Sequence, residues 1–231
     1  PIADKLPDGV LDQPVVMAPT SSERQLDRKN LRRASALLDE AGWPVGDDGM
    51  RRNAAGETLK VEILNDSQSF DRVINPYVEN LRALGVDAVL TRIDNAQMTE
   101  RERSFDFDMV IGNFRTALTP STELEQYFGS ESAEFSIFNL AGYGTEAVDS
   151  LIDAVEAAED RKTLDDAIRA LDRVLRAEVF WVPQWFRNIH TIAYYDMYRY
   201  PENLPPYALG TLDFWWFDQA AHDRLKAAGA F

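Results

Sequence analysis

The sequence predicts an α/β fold, and three observations carry that expectation. Leu59, Val61 and Ile63 alternate with Lys60 and Glu62 in the two-residue period of a half-buried strand. A second apolar run, Val86 to Ile93, follows after a stretch with helical spacing. Strand, helix and strand joined by short turns imply a parallel pair with a right-handed crossover, because a twisted strand feeding a helix packs back onto its sheet that way.

The elements follow in chain order. Residues 1–26 carry Pro1, Pro7, Pro14 and Pro19, Gly9 and a Thr20-Ser21-Ser22 cluster, which oppose a long helix and predict an extended N-terminal linker. From Asp27, which can cap a helix, Leu31, Ala34, Leu37, Leu38 and Ala41 recur at helical spacing until Gly42 stops them. Asp47, Asp48, Gly49, Asn53 and Gly56 mark turns before the first strand. Phe70, Val73, Ile74, Tyr77, Val78 and Leu81 predict a helix from Ser69 to Leu84, which Pro76 should kink or delay. Asp94 can cap a short helix through Arg103, and Phe107 to Ile111 supplies a third strand. Helical patterns then run from Ser121 to Phe128, Thr145 to Ala158 and Arg161 to Glu178, the last two as a hairpin across Glu159-Asp160. The remainder differs in composition. Thirteen aromatic residues lie between Phe180 and Phe217, in a chain holding 12 Phe, 8 Tyr and 5 Trp, and so much ring surface calls for a cover.

Composition narrows the function. Twenty-four Lys and Arg against 39 Asp and Glu leave a net charge of −15, a field that repels a phosphate backbone and argues against nucleic-acid partners. The absence of cysteine removes disulfides, thiolate nucleophiles and cysteine-based metal sites. No apolar run approaches the roughly 20 residues of a membrane span. His190 and His222 lack a second histidine at helical spacing, and no nucleophile elbow or phosphate-binding glycine loop is present, so metal, cofactor and enzyme readings have no anchor. Asp106 with Asp108, or Glu123 with Glu125, are the carboxylate pairs on which a hydrolase would have to rest.

Two stretches invite a ligand. Asn113-Phe114-Arg115-Thr116 follows the third strand, and open α/β sheets bind ligands outside the carboxyl ends of their strands. In Trp181 to Asn188, two tryptophans flank Gln184, as in a packed core or in an aromatic wall beside a cleft.

A family resemblance rests on blocks that recur in order: Ala34 to Trp43, Phe107 to Val110, Asn139 to Gly142 with Val148 to Ile152, Leu171 to Leu175, and Val182 to Trp185. Together they resemble the C-terminal part of bacterial extracellular solute-binding proteins of the oligopeptide-binding class, family 5. The closing Leu209 to Asp218 is most similar to the YejA-type branch. The resemblance implies a periplasmic-binding-protein-like lobe with a mixed, mainly parallel sheet flanked by helices, taken from a longer periplasmic protein that captures peptides and delivers them to the permease of an ABC importer. It implies an N-terminal segment over 1–26, a ligand-binding lobe over 27–188, and an aromatic-rich segment over 189–231 that returns toward a larger lobe. Asn113, Phe114, Arg115, Asn139, Tyr143, Gln184 and Trp185 become ligand-binding candidates, and Arg187 and Asn188 hinge candidates. One departure stands out. Where better-known members place a tryptophan and then an aspartate that pairs with the peptide's amino group, this chain has Phe114 and Ala117, while Arg115 offers a partner for a carboxylate. Two rival readings are a carboxylate-dependent hydrolase around Asp108 and Glu123, and a protein-interaction module using the surface from Tyr194 to Phe217.

Overall fold

The structure, a computed structural model, describes residues 2–115, 119–186, 188–205 and 210–231. They divide into two compact units, Pro1–Val182 and Pro183–Phe231.

The first unit is built on a three-stranded parallel sheet. Strand β1 (Lys60–Asn65) lies at the centre, flanked by β2 (Asp87–Arg92) and β3 (Met109–Val110), in the order β2-β1-β3. Lys60 pairs with Asp87, and Ile63 with both Leu90 and Met109. Helix α2 (Asp71–Ala83) joins β1 to β2, so the predicted strand–helix–strand unit is present and parallel. Ile74 and Val78, one turn apart on α2, meet Ile63, Val86 and Ala88 in a buried cluster. Pro76 sits well inside this helix, which begins at Asp71, so the expected delay of the helix start does not occur. Strand β3 is shorter than its apolar pattern predicted. The Asp108 carboxylate accepts the Glu62 amide at 2.7 Å and so occupies a donor of β1 beside the start of β3.

Helix α1 (Arg28–Glu40) begins where Asp27 accepts the amides of Lys29 and Asn30, and Gly42 follows it at a φ of 85°, as a helix stop requires. It is fastened by Arg51, whose side chain is wholly buried. The guanidinium donates to the Leu84 carbonyl at 2.7 Å, to Asp39 and the Trp43 carbonyl at 2.6 Å each, and to the Ser35 hydroxyl at 2.5 Å. Helix α3 (Asn95–Arg103), capped by Asp94, buries Met98 on the way to β3.

A second core in this unit is helical. Helix α5 (Glu146–Glu156) starts at its Thr145 cap and α6 (Arg161–Glu178) at its Asp160 cap, as the spacing predicted. Val148, Leu151, Ile152 and Val155 face Leu171 and Val174, and the short α4 (Glu123–Phe128) adds Leu124 and Phe128. Val10 is buried in the same core, and Arg173 donates to the carbonyls of Val10 and Gln13. The beginning of the segment read as a linker is therefore packed structure. Ile2 and Leu6 pack against the same core beside Val10.

The second unit pairs β4 (Tyr198–Arg199) antiparallel with β5 (Trp216–Phe217), and α7 (Gln219–Ala227) follows from its Asp218 cap. Arg199 ties the ladder by ion pairs to Asp196 and Asp218. Trp215 stacks on Tyr200 with ring centroids 4.6 Å apart and meets Tyr194 edge-on at 4.8 Å.

Candidate functional site

The loop leaving β3 at the carboxyl edge of the parallel sheet carries Gly112, Asn113, Phe114 and Arg115. Phe114 is the centre of an aromatic group. Its ring centroid lies 4.2 Å from that of Trp181, 5.0 Å from Phe128 and 5.4 Å from Tyr127, which it meets nearly at a right angle. Tyr127 in turn meets Phe138 at 6.0 Å. Three sides of the Phe114 ring are thus supported by side chains of α4 and of the segment after α6, yet the residue remains 41% exposed. That is the geometry of a shelf held from behind, which can take a flat or apolar group on its open face.

Two backbone features make this packing possible. A β-carbon added at Gly112 would lie 2.6 Å from Cη2 of Trp181, so only glycine lets the indole settle against the loop. Helix α6 ends at Val179 in the left-handed conformation, φ 51° and ψ 29°, where glycine is the usual occupant. That turn directs Phe180 and Trp181 back over α4. A β-branched residue held there is strained, and the strain sits one residue before the aromatic pair.

The polar members of the loop are arranged around the shelf. The Arg115 Nε donates to Asn113 Oδ1 at 3.1 Å, and the Tyr127 hydroxyl lies 3.3 Å from both the amide and the carbonyl of Arg115. The guanidinium is exposed and its two terminal nitrogens have no partner among the described residues, so they can meet an anionic group. Asn113 and Arg115 therefore act as a unit beside the ring.

Asn139 has a different place from the one expected. It is 1% exposed, and its amide nitrogen donates to the Tyr143 carbonyl at 2.7 Å, the Ser132 hydroxyl at 3.1 Å and the Gly129 carbonyl at 3.3 Å, while its oxygen accepts the Tyr143 amide at 3.2 Å. Every hydrogen-bonding group of the side chain is occupied, so it shapes the 129–145 loop from inside rather than touching a solute. Tyr143 is half-buried and stacks on Phe180, with centroids 4.4 Å apart and planes 7° from parallel. Burial pushes its phenol up, which keeps it protonated at neutral pH.

Gln184, Trp185 and Asn188 lie in the second unit and are exposed, Trp185 at 62%. Arg187 and Ala117 fall outside the described residues. Within the first unit the structure packs Trp181 on Phe114, a support that sequence reasoning did not assign. Tyr127, Phe138 and Gly112 were missed as well. A glycine directly after a strand, beside an aromatic residue, was the available signal.

Three of the four carboxylates of the hydrolase reading have other partners. Asp108 accepts a β1 amide, Asp106 pairs with Arg101, and Glu123 accepts the Ser121 amide at 3.1 Å. A cavity of about 520 Å³ lies elsewhere, between residues 21–34 and the C-terminal half of α2. Because α2 runs back from the carboxyl end of β1, that cavity is on the helical flank toward the opposite end of the strands.

A parallel sheet flanked by helices, with an aromatic shelf on the loop at its carboxyl edge, defines the class of fold: α/β, with a candidate ligand site at the strand ends. The comparisons with known proteins make this more specific. The family model "Bacterial extracellular solute-binding proteins, family 5 Middle" matches residues 6–135. A probable peptide-binding protein YejA from Agrobacterium fabrum is 40% identical over 205 residues, covering 88% of this chain and 33% of the relative. The uncharacterized protein YejA of Escherichia coli is 33% identical over 229 residues, covering 99% of this chain and 37% of its own. Among solved structures, the oligopeptide-binding protein AppA from Bacillus subtilis, in complex with a nonapeptide, shares the fold with a TM-score of 0.64 at 16% identity, over 91% of this chain and 44% of that one. The chain belongs to family 5 of the bacterial extracellular solute-binding proteins and to its YejA branch. It spans about a third of the length of the curated relatives it matches.

Proposed function

We propose that this chain forms one wall of the capture site of a periplasmic peptide-binding component of an ABC importer, which grips its cargo and passes it to a membrane permease without chemical change. The observation that carries the reading is the supported, open-faced Phe114 shelf at the carboxyl edge of the parallel sheet, flanked by Asn113 and the exposed Arg115. Family membership and the peptide-binding name of the Agrobacterium relative support peptides as the cargo class. Aromatic stacking and an exposed guanidinium select for ring and carboxylate groups but leave peptide sequence largely open. With Ala117 where related binders hold an aspartate, the site favours cargo recognised through an acidic group over one recognised through a free amino terminus.

We also propose Gln184 and Trp185 as cargo contacts in the full-length protein, and Arg187 and Asn188 as hinge positions between this lobe and the larger one. The exposed rings of the second unit, among them Trp216 and Phe217, pack against the part of the full-length protein that lies outside this chain. The test is calorimetric titration of the full-length protein with a mixed peptide library fraction, compared with Phe114→Ala and Arg115→Gln. Loss of at least about tenfold in affinity for each variant, with unchanged melting temperature, is the expected result. Unaltered binding in both variants refutes this location of the site.

A further inference from the structure

We propose that the outward face of α1 is a docking surface for a carboxylate-rich patch on a separate protein. Arg24, Arg28, Lys29, Arg32 and Arg33 place five of the chain's 24 cations within ten residues of a molecule whose net charge is −15. All five are exposed, and none makes an ion pair among the described residues.

Positions 28, 29, 32 and 33 share one face of the helix, because residues one turn apart lie above one another. The other face is engaged: Leu38 packs on the sheet core, while Leu31 and Ala34 line the flanking cavity. The cations therefore point away from the body in two short rows, Arg28 with Arg32 and Lys29 with Arg33. Within the helix this arrangement works against folding. Like charges one turn apart repel, and no acid stands in the first turn to complement the helix dipole. Helix α6 provides the contrast, since its N-terminal Arg161 and Lys162 are each paired one turn on with Asp165 and Asp166. The nearby acids make no ion pair with the α1 rows among the described residues. Asp27 is committed to the amides of Ser22, Lys29 and Asn30, and Glu79 on the neighbouring α2 accepts from Gln25. Glu23 is the remaining carboxylate of the stretch.

Charge complementarity selects the partner. Four of the five side chains are arginines, whose planar forks bind carboxylates in a bidentate manner, and rows one turn apart match glutamates spaced four residues apart on a helix. An anionic bilayer is the poorer match. It would face the broad flank of a protein whose remaining charge is strongly negative, whereas a local acidic patch meets the rows alone within a Debye length of about 8 Å. This surface is separate from the cargo site, and the inference does not rest on the cargo reading.

The test uses the full-length protein, isotopically labelled, with a fluorescent helical peptide carrying glutamates four residues apart as one probe and phosphatidylglycerol vesicles as the other. Saturable peptide binding at low salt is expected, with amide shifts confined to residues 24–37 and loss of binding at about 0.5 M salt. R28E/R32E should weaken it at least about tenfold, while R161E/K162E should leave it unchanged. Because R28E puts an acid in the first turn, that variant favours the helix, and K29Q/R33Q gives a second variant without charge reversal. Absence of peptide binding, shifts outside α1, equal losses in the α1 and α6 variants, or preferential binding to the vesicles would each overturn the proposal.

Discussion

Substituting Gly112 by alanine tests whether the Phe114 shelf is held as described. The added β-carbon would fall 2.6 Å from Cη2 and 3.3 Å from Cζ3 of Trp181, against an ordinary carbon–carbon contact of about 3.5–4.0 Å. The indole must therefore move by about 1 Å, or the loop must move instead. Gly112 is not among the glycines with positive φ, so alanine brings no backbone strain of its own and the effect is steric. Overpacking of this kind costs about 1–3 kcal/mol. Its origin is separable by a double-mutant cycle with Trp181→Leu, which removes the ring atoms in conflict. In that background Gly112→Ala should cost less than about 0.5 kcal/mol, giving a coupling of about 1–3 kcal/mol. Urea unfolding followed by circular dichroism measures stability, and the near-ultraviolet spectrum reports the displaced indole. Additive effects in the cycle would show that Trp181 does not rest on Gly112, and the shelf would lose its support.

Further expectations follow from the same contacts. Arg51→Ala removes a buried guanidinium with four hydrogen bonds and leaves the carbonyls of Trp43 and Leu84 without it. It should destabilise the first unit by about 3–5 kcal/mol in urea unfolding, and a loss under about 1 kcal/mol would contradict the bonding described. Val179→Gly relieves a left-handed backbone in a β-branched residue and should stabilise by about 1 kcal/mol, read as a raised urea midpoint; no gain would mean the conformation is unstrained. The Asp27 carboxyl is lowered to about 2 by the amide of Ser22 first and then that of Asn30. Its capping contribution is complete above its unfolded value near 3.8 and fades as the pH falls toward 2, so α1 should fray over that interval. In Asp27→Ala the acid-dependent fraying of α1, read by amide exchange of residues 28–40, should vanish, while that of the helices capped by Asp160 and Asp218 stays.

How far the sequence disclosed these features depended on whether they were local. Helices α1, α5 and α6 were legible because their caps and apolar spacing lie within one segment, and the β1-α2-β2 unit because its period changes from two to 3.6 and back. The length of β3 was not, since a carboxylate 46 residues from Glu62 intercepts its amide. Nor were the ladder of β4 with β5, two residues each, and α7, whose aromatic neighbourhood masked the helical pattern. At the site, the position of Phe114 after a strand was readable. The packing of Trp181 on Phe114 was not, because it follows the left-handed turn at Val179, and valine does not announce such a turn. Asn139 looks the same in sequence whether it faces a solute or closes a loop, and only its burial distinguishes them.

The energetics of one wall also limit what this chain can do by itself. Micromolar affinity requires about 8 kcal/mol, after association has cost about 4–15 kcal/mol in lost freedom. Against that, the open face of Phe114 offers a stacking gain of about 0.5–1.5 kcal/mol beyond its buried area, and Arg115 is an exposed cation whose ion pairs are worth about 0–1 kcal/mol in water. Both values grow when a second surface closes over them, since exclusion of water strengthens the ion pair and doubles the apolar contact. On the proposed function, the shelf therefore holds cargo only when a second surface covers it. We expect the 231-residue chain to bind the mixed peptide library fraction no more tightly than about millimolar by calorimetry at physiological salt, where the α1 cations are screened, and the full-length protein to bind it far more tightly. Micromolar binding by this chain alone would mean that capture needs no second wall, and the division of labour argued from the shelf would be wrong.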